Sequence, residues 1–318
     1  MSKRTFSYLS QSDISIRIER FVRAVESSSS PAYESIRTRS GQERIQPTNL
    51  SRHFEHMQSM VDFFDDRCSY SYSEHLQVFR QACQDIGLDR NLICPHGQGT
   101  GYLSYHQSMN ALVDRIRELT KAPWYRRRKN DRTHQAKQQQ IDVAEYVDWV
   151  LNRCARTVVV RVDLHYRAVV QSRLRVEQVF DDLEALTRAR ERNPIFQHET
   201  GYICSVEQGE ERGIHIHAAF FFTGEYVWSD RYKAQQIGEL WVEITRGQGY
   251  YHSCNDDKES YGDTCGVGVV RRGDAHMRSN VIEAMRYLAK DSQHLRMRPA
   301  RARCFRVGRR QKLFRGIR

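Results

Sequence analysis

The chain predicts an α+β fold, an antiparallel sheet with helices packed on one face, preceded by a helical region over residues 1–150. Three observations predict it. Residues 156–166 (RTVVVRVDLHY) and 213–222 (GIHIHAAFFF) read as strands, whose side chains alternate between two faces. Residues 202–207 (YICSVE) read as a further strand, and the polar run 208–213, ending in Gly213, turns it back against 213–222 as a hairpin. Residues 175–192, 229–244 and 280–294 carry helical signals. The order β-α-β-β-α-β-α matches such a sheet and leaves its second face open.

Taken in order, residues 14–25 form a short helix and the serine run 27–31, closed by Pro31, reads as a linker. Residues 50–67, 73–86 and 105–119 repeat apolar residues at helical spacing, interrupted by the Gly-rich stretch 95–101. Gly97, Gly99 and Gly101 follow no strand and lack a Gly-Lys-Ser/Thr ending, so they read as a plain loop rather than a phosphate cradle. A helix over 131–154 leads into the strand 156–166. There Val158, Val160, Val162 and Leu164 share one face and Arg161, Asp163 and His165 the other. The helix 175–192 buries Val176, Val179, Phe180, Leu183 and Leu186, and Pro194 ends it. Ser229 caps the next helix, residues 247–268 are Gly-rich and polar, and a strand lies near 267–271. In 280–294, Val281, Ala284, Met285, Leu288 and Ala289 form the apolar stripe. Asn280, Glu283, Tyr287, Lys290, Asp291 and His294 form the polar one.

The 318 residues carry a net charge of +11. That balance attracts phosphate without regard to sequence and fits a nucleic-acid partner, with clusters at 125–132 and 296–318. The eight cysteines never fall as Cys-x-x-Cys, which argues against a zinc ribbon. With no secretory signal and no apolar run able to span a bilayer, reduced thiols in a cytoplasm are expected. The domain reading is an accessory helical region at 1–150, a chemical domain at 151–295 and a basic tail at 296–318.

His215 and His217 fall on one face of their strand, about 7 Å apart at Cα, and neutral imidazole is the commonest nitrogen ligand for a metal. The hairpin brings Glu207 beside them. Two imidazoles and a carboxylate make a mixed site with open positions, suited to holding phosphate as a Lewis acid rather than to a closed structural zinc.

The His215-Ile216-His217 triplet, Glu207 eight positions earlier, and Tyr287-Leu288-Ala289-Lys290 downstream resemble the HUH and YxxK motifs of rolling-circle replication initiators. The surrounding detail, VVVRVDLHY at 158–166 and MRYLAKD at 285–291, looks most like the YagK/YfjJ and inovirus gene-2-product type of phage and prophage replication protein. The likeness covers about residues 156–291. It implies an HUH endonuclease domain with a ferredoxin-like core, Mg²⁺ or Mn²⁺ held by His215, His217 and Glu207, and strand 156–166 beside the histidine strand. Asp163 and His165 then become alternative third ligands. Tyr287 would attack single-stranded origin DNA to leave a 5′-phosphotyrosine and a free 3′-OH, with Lys290 one helical turn on to stabilise charge. The absence of a Walker A loop implies an external helicase. A DNA-binding regulator that keeps the fold without cutting is the second reading. A metal-dependent hydrolase of small molecules is the third, and it leaves Tyr287 and the arginines without a role.

Overall fold

The structure is a computed structural model that describes residues 9–65, 68–88, 90–95, 101–290 and 294–310. Gly97, Gly99 and Asp291, together with residues 311–318 of the expected tail, lie outside these. The chain divides into two compact units, one of residues 1–132 and 296–301, the other of residues 133–295 and 302–318.

The first unit is helical, as expected, with additions. Helix α1 (Gln11–Glu26) starts where Ser10 accepts from the Asp13 backbone N–H and Asp13 reciprocates, a capping box. An exposed hairpin follows, β1 (Tyr33–Arg37) and β2 (Glu43–Pro47), which the sequence reading missed. The expected helix over 50–67 is instead a 3₁₀ segment (Asn49–Phe54) and a short α2 (Met57–Val61). After β3 (Tyr70–Tyr72) come α3 (Glu74–Asp85) and α4 (Tyr105–Lys121), which pack with α1 around Phe21, Val22, Leu76, Phe79, Leu112 and Ile116. Helix α5 (Pro123–Arg153) begins in this unit and ends in the other. Its basic cluster is largely turned to internal use. Arg128 binds Gln77, Lys129 pairs with Glu26 at 2.9 Å, and Arg132 pairs with Glu74 at 2.9 Å.

The second unit is built on β4 (Arg156–Tyr166), followed by α6 (Ala168–Gln171), α7 (Val176–Arg192), β5 (Glu199–Gly209), β6 (Gly213–Thr223), α8 (Asp230–Ile244), β7 (Gly249–Ser253), β8 (Gly268–Arg271) and α9 (Ala275–Tyr287). Beyond these, β9 (Met297–Pro299) pairs with β3, and β10 (Phe305–Val307) pairs with β5. The antiparallel order is β10-β5-β6-β4-β7, with β8 also pairing β4 at its opposite end. Gly213 takes φ 60° at the β5–β6 turn, a left-handed conformation that a side chain would strain.

Helices cover both faces of this sheet, not one. Val160, Val162, Phe220 and Phe222 point toward α7 and α8, where Trp241 meets the Tyr166 ring and Tyr166 donates to Asp182 at 2.8 Å. On the other face, Val159, Ile203, Ala219 and Phe221 are buried under Val143, Val147 and Val150 of α5 and Val281 and Met285 of α9. The reason lies in the strands. The face that starts with His215 and His217 turns apolar at Ala219 and Phe221, and that half demands cover. The expected boundary at 150 therefore falls inside a helix whose final turns belong to the second unit's core.

Residues 296–310 are not a free tail. Arg296 is buried and paired with Glu19, itself almost fully buried, and the strands on either side of 300–304 join two sheets. Arg23 also pairs with Glu19, at 2.6 Å. Removing one member of a buried pair typically costs about 3–5 kcal/mol. Arg296→Ala should therefore destabilise the first unit by about 3 kcal/mol, at the lower end because Arg23 remains. An unchanged urea midpoint for Arg296→Ala would return 296–310 to the status of a tail.

Candidate metal site and its cleft

Register assembles the site. Antiparallel pairing sets His217 opposite Asp163 on β4 and Ser205 on β5, and His215 opposite Glu207. A shift of one residue in either pairing would send the imidazoles to the α7–α8 face. In the observed register Glu207, His215 and His217 are all buried, each offering a ligand atom within 4.8 Å of the others. They form a group able to hold a metal ion. Among the described residues no other His, Cys, Asp and Glu cluster does so, and Cys254 and Cys265 stay outside it.

Each imidazole is held from behind. His217 donates from Nδ1 to Asp163 Oδ1 at 2.6 Å and presents Nε2 to Glu207 Oε2 at 3.4 Å. His215 donates from Nδ1 to the Gly213 carbonyl at 3.1 Å, because a carbonyl can only accept, and Nε2 is the nitrogen left to bind. Asp163 thus stands behind His217 at Nδ1, whereas Glu207 faces its Nε2. Such carboxylate–histidine pairs fix the ring's tautomer and raise its basicity. His165 lies outside the Glu207, His215 and His217 group. Its ring lies between those of His215 and Tyr250, at centroid distances of 5.4 and 5.0 Å.

The charges follow from this geometry. Burial alone would lower the His217 pKa, but the hydrogen bonds to Asp163 and Glu207 outweigh it and raise it to about 9. For Asp163, burial pushes the pKa up, yet the hydrogen bond from His217 and the charges of His217 and Arg161 bring it well below the usual carboxylate range. His215 is lowered by burial and by His217, and His165 falls to about 4 through burial and His215. The metal-free site therefore holds its proton on His217.

His215 and His217 open onto a cleft of about 470 Å³ that is also lined by Asp163, Arg161, Arg212 and Tyr287. Tyr287 is the last residue of α9 and is 45 % exposed. The helix stops here, where 280–294 was expected to continue. The chain tightens into turn bonds, Ala289 N–H to Arg286 O at 3.0 Å and Lys290 N–H to Tyr287 O at 3.3 Å. Leu288 and Ala289 are buried in the core that α9 shares with α5. Lys290 still reaches Tyr287, with Nζ 3.7 Å from the ring centroid as a cation–π contact rather than as a residue one helical turn on.

Arg161, on the Asp163 face of β4, joins the cleft as well. Its Nε donates to Asp163 Oδ1 at 3.4 Å and its side chain lines the cleft, placing a guanidinium beside the ligands. The signal was present, since Arg161 alternates with Asp163 and His165 on β4. Tyr250, in polar sequence with no alignment to the site evident from the sequence, is brought to the site's margin by β7 through its stack on His165.

Comparison of the chain with protein-family models, with curated proteins and with solved structures returns no match. None of the eight cysteines is in a disulfide, and among the described residues no helix is long and apolar enough to cross a membrane.

Two measurements check the site. A folded-state pKa near 9, above the ordinary 6.5, means that the protonated His217 stabilises the metal-free protein fully below 6.5 and loses that contribution as pH rises to 9. Mn²⁺ competes with that proton, so its affinity should climb over the same interval, by up to about tenfold per pH unit. Calorimetric titration that gives a pH-independent affinity would remove His217 from the ligand set. Asp163→Asn should weaken Mn²⁺ binding about 10–100-fold, the usual effect of losing an outer partner. If Asp163→Asn abolishes binding while Glu207→Ala is silent, the assignment of the two carboxylates is reversed.

Proposed function

We propose that the chain is a single-tyrosine, HUH-type nicking and joining enzyme that initiates rolling-circle replication at the origin of a phage, prophage or plasmid. The observation that carries this is one cleft lined by Tyr287 and by two histidines of a buried His-His-Glu group. A hydrolase of small molecules would need the same ligands but would give Tyr287 no task. Mg²⁺ or Mn²⁺ is the fitting ion, since a carboxylate and two imidazoles leave positions for phosphate oxygens. When bound, it supplies a Lewis acid for the scissile phosphate.

The chain's own groups account for the rest. Tyr287 Oη forms a bond to phosphorus and the P–O3′ bond breaks, giving a 5′-phosphotyrosine and a 3′ oxygen that takes up a proton. Attack by a 3′-OH on the phosphotyrosine runs the same exchange backwards and rejoins a strand. A phenol titrates near pH 10, so its proton must leave as the bond forms. Lys290, over the ring, offers positive charge to the phenolate. Arg161 lies where it can meet a phosphate oxygen, which makes it a third cationic group for the transition state. With no Walker A loop in the sequence, strand separation falls to a separate helicase.

The test is to incubate the protein with single-stranded origin DNA and Mn²⁺ and look for a band that resists detergent and boiling. Tyr287→Phe keeps the ring and removes only the nucleophilic oxygen, so it should bind Mn²⁺ and DNA as before and form no adduct. The double variant His215→Ala/His217→Ala should bind DNA and not cut. Peptide mapping of the adduct to a residue other than Tyr287 would move the nucleophile. DNA binding by the wild-type chain with no adduct under any metal would favour the non-cutting regulator.

A further inference from the structure

The hairpin β1–β2 is anchored at its root, closed at its tip and exposed between, where Ser35, Glu43 and Ile45 share a pocket with Ser104, His106 and Gln107 at the start of α4. At the root, the Tyr33 N–H donates to Asn110 Oδ1 at 2.8 Å and Asn110 Nδ2 returns a bond to the Tyr33 carbonyl at 2.8 Å. The Tyr33 ring packs against Phe54, Tyr105 and His106. Thr48 ties the other strand through its hydroxyl to the Pro31 carbonyl at 2.7 Å. At the tip, Thr38 Oγ1 donates to the Gln42 carbonyl at 3.0 Å and Gly41 N–H to Thr38 O at 2.9 Å. A Cβ on Gly41 would meet nothing within 4 Å.

No strand residue after Tyr33 is buried, and Ile36 and Ile45, 41 % and 47 % exposed, lie on opposite faces. Two strands without a covered face gain little from burial and are marginal alone. This ribbon is therefore held by its two ends, a preorganised arm rather than a layer of the core. Arg37, Arg39 and Arg44 are exposed and, among the described residues, make no side-chain hydrogen bond or ion pair, whereas Glu43 on the same arm is engaged by Ser35. Register sets Arg37 opposite Glu43 and Arg44 opposite Ile36, so these two arginines leave from opposite faces while Arg39 stands at the tip. Cations on both faces and at the end of a two-stranded ribbon suit a partner with phosphate walls on both sides, and a DNA groove admits such a ribbon.

We propose that the β1–β2 hairpin is an arm that enters a groove of duplex DNA. The proposal rests on the nucleic-acid reading above and gives it a duplex-binding element separate from the cleft. The arm supplies phosphate contacts from Arg37, Arg39 and Arg44 and apolar contact from Ile36 or Ile45, and its root holds it ready without the entropy of ordering a loose loop.

The experiment compares the full-length chain with Arg37→Ala/Arg39→Ala/Arg44→Ala in binding to a labelled origin duplex across a salt series, and in cleavage of a single-stranded oligonucleotide with Mn²⁺. The variant should bind the duplex about tenfold or more weakly. Its salt slope should be smaller by about 0.9 for each phosphate that the variant no longer neutralises, so by about 2–3 in all. Cleavage of the single strand should be unchanged. Arg39→Glu alone, at the exposed tip, should lower duplex affinity in the same direction and serves if the triple variant misfolds. Unchanged duplex affinity and slope would overturn the proposal. So would an equal loss on single-stranded and duplex DNA, or a change in oligomeric state, which would assign the arm to a second copy. A wild-type chain that never cuts yet loses duplex binding with the arm would sink the enzyme reading and keep the arm. A cutting chain indifferent to the arm would do the reverse.

Discussion

His217 stands between two carboxylates, and much of the second unit is arranged to keep it there. Asp163 on β4 holds one ring nitrogen and Glu207 on β5 faces the other, with β6 between them. Three buried ionisable groups in a row are expensive to desolvate unless their charges alternate and their hydrogen bonds close. A proton on His217 meets that demand in the metal-free protein, and a divalent cation beside Nε2 would meet it with the opposite consequence for the imidazole, which must then be neutral. The same arrangement therefore makes proton and metal exclusive at His217.

The sheet face bearing this row has two halves with different needs. Toward Phe221 it is apolar, and α5 and α9 close over it. Toward His215 it is polar and opens as the cleft. Tyr287 stands at the junction because the buried residues around it, Val281, Met285, Leu288 and Ala289, belong to the apolar half. Its position is thus set by the packing of residues on both sides of it in the chain. On the proposed reading, burial of neighbours on a rigid element is what would hold Tyr287 to the tolerance that chemistry requires.

The strands and the Glu207, His215 and His217 group were legible in the sequence because both depend on local alternation. His215 and His217 on one face, YICSVE before them and a glycine turn between define the hairpin that pairs Glu207 with His215. The missed parts depend on partners far away in the chain. Strand β7, GYYHS, sits in polar Gly-rich sequence and becomes a strand because β4 offers it an edge. Arg296 reads as one of many tail arginines, yet Glu19, 277 positions earlier, draws it inside. Hairpin β1–β2 has no buried face and so carries no period-two pattern to find. The second helical layer followed from Ala219 and Phe221, which alternation already placed beside the histidines. Their meaning for the fold was visible, but a polar face was expected to stay polar along its whole length.

The groups that meet in the cleft also say something about selection. Imidazole, carboxylate, guanidinium and phenol there all address phosphate, a metal or a proton, none of which differs from one nucleotide to the next. An enzyme built only from these groups would cut wherever a strand fits. On the nucleic-acid reading, preference for an origin must then come from residues outside the cleft that touch base edges or sense duplex shape. Within the first unit, Arg128, Lys129 and Arg132 are largely spent on partners inside that unit. The arginines of β1–β2 are not, and on the proposed reading a ribbon that has to fit a groove senses duplex shape, which the overall charge of +11 does not.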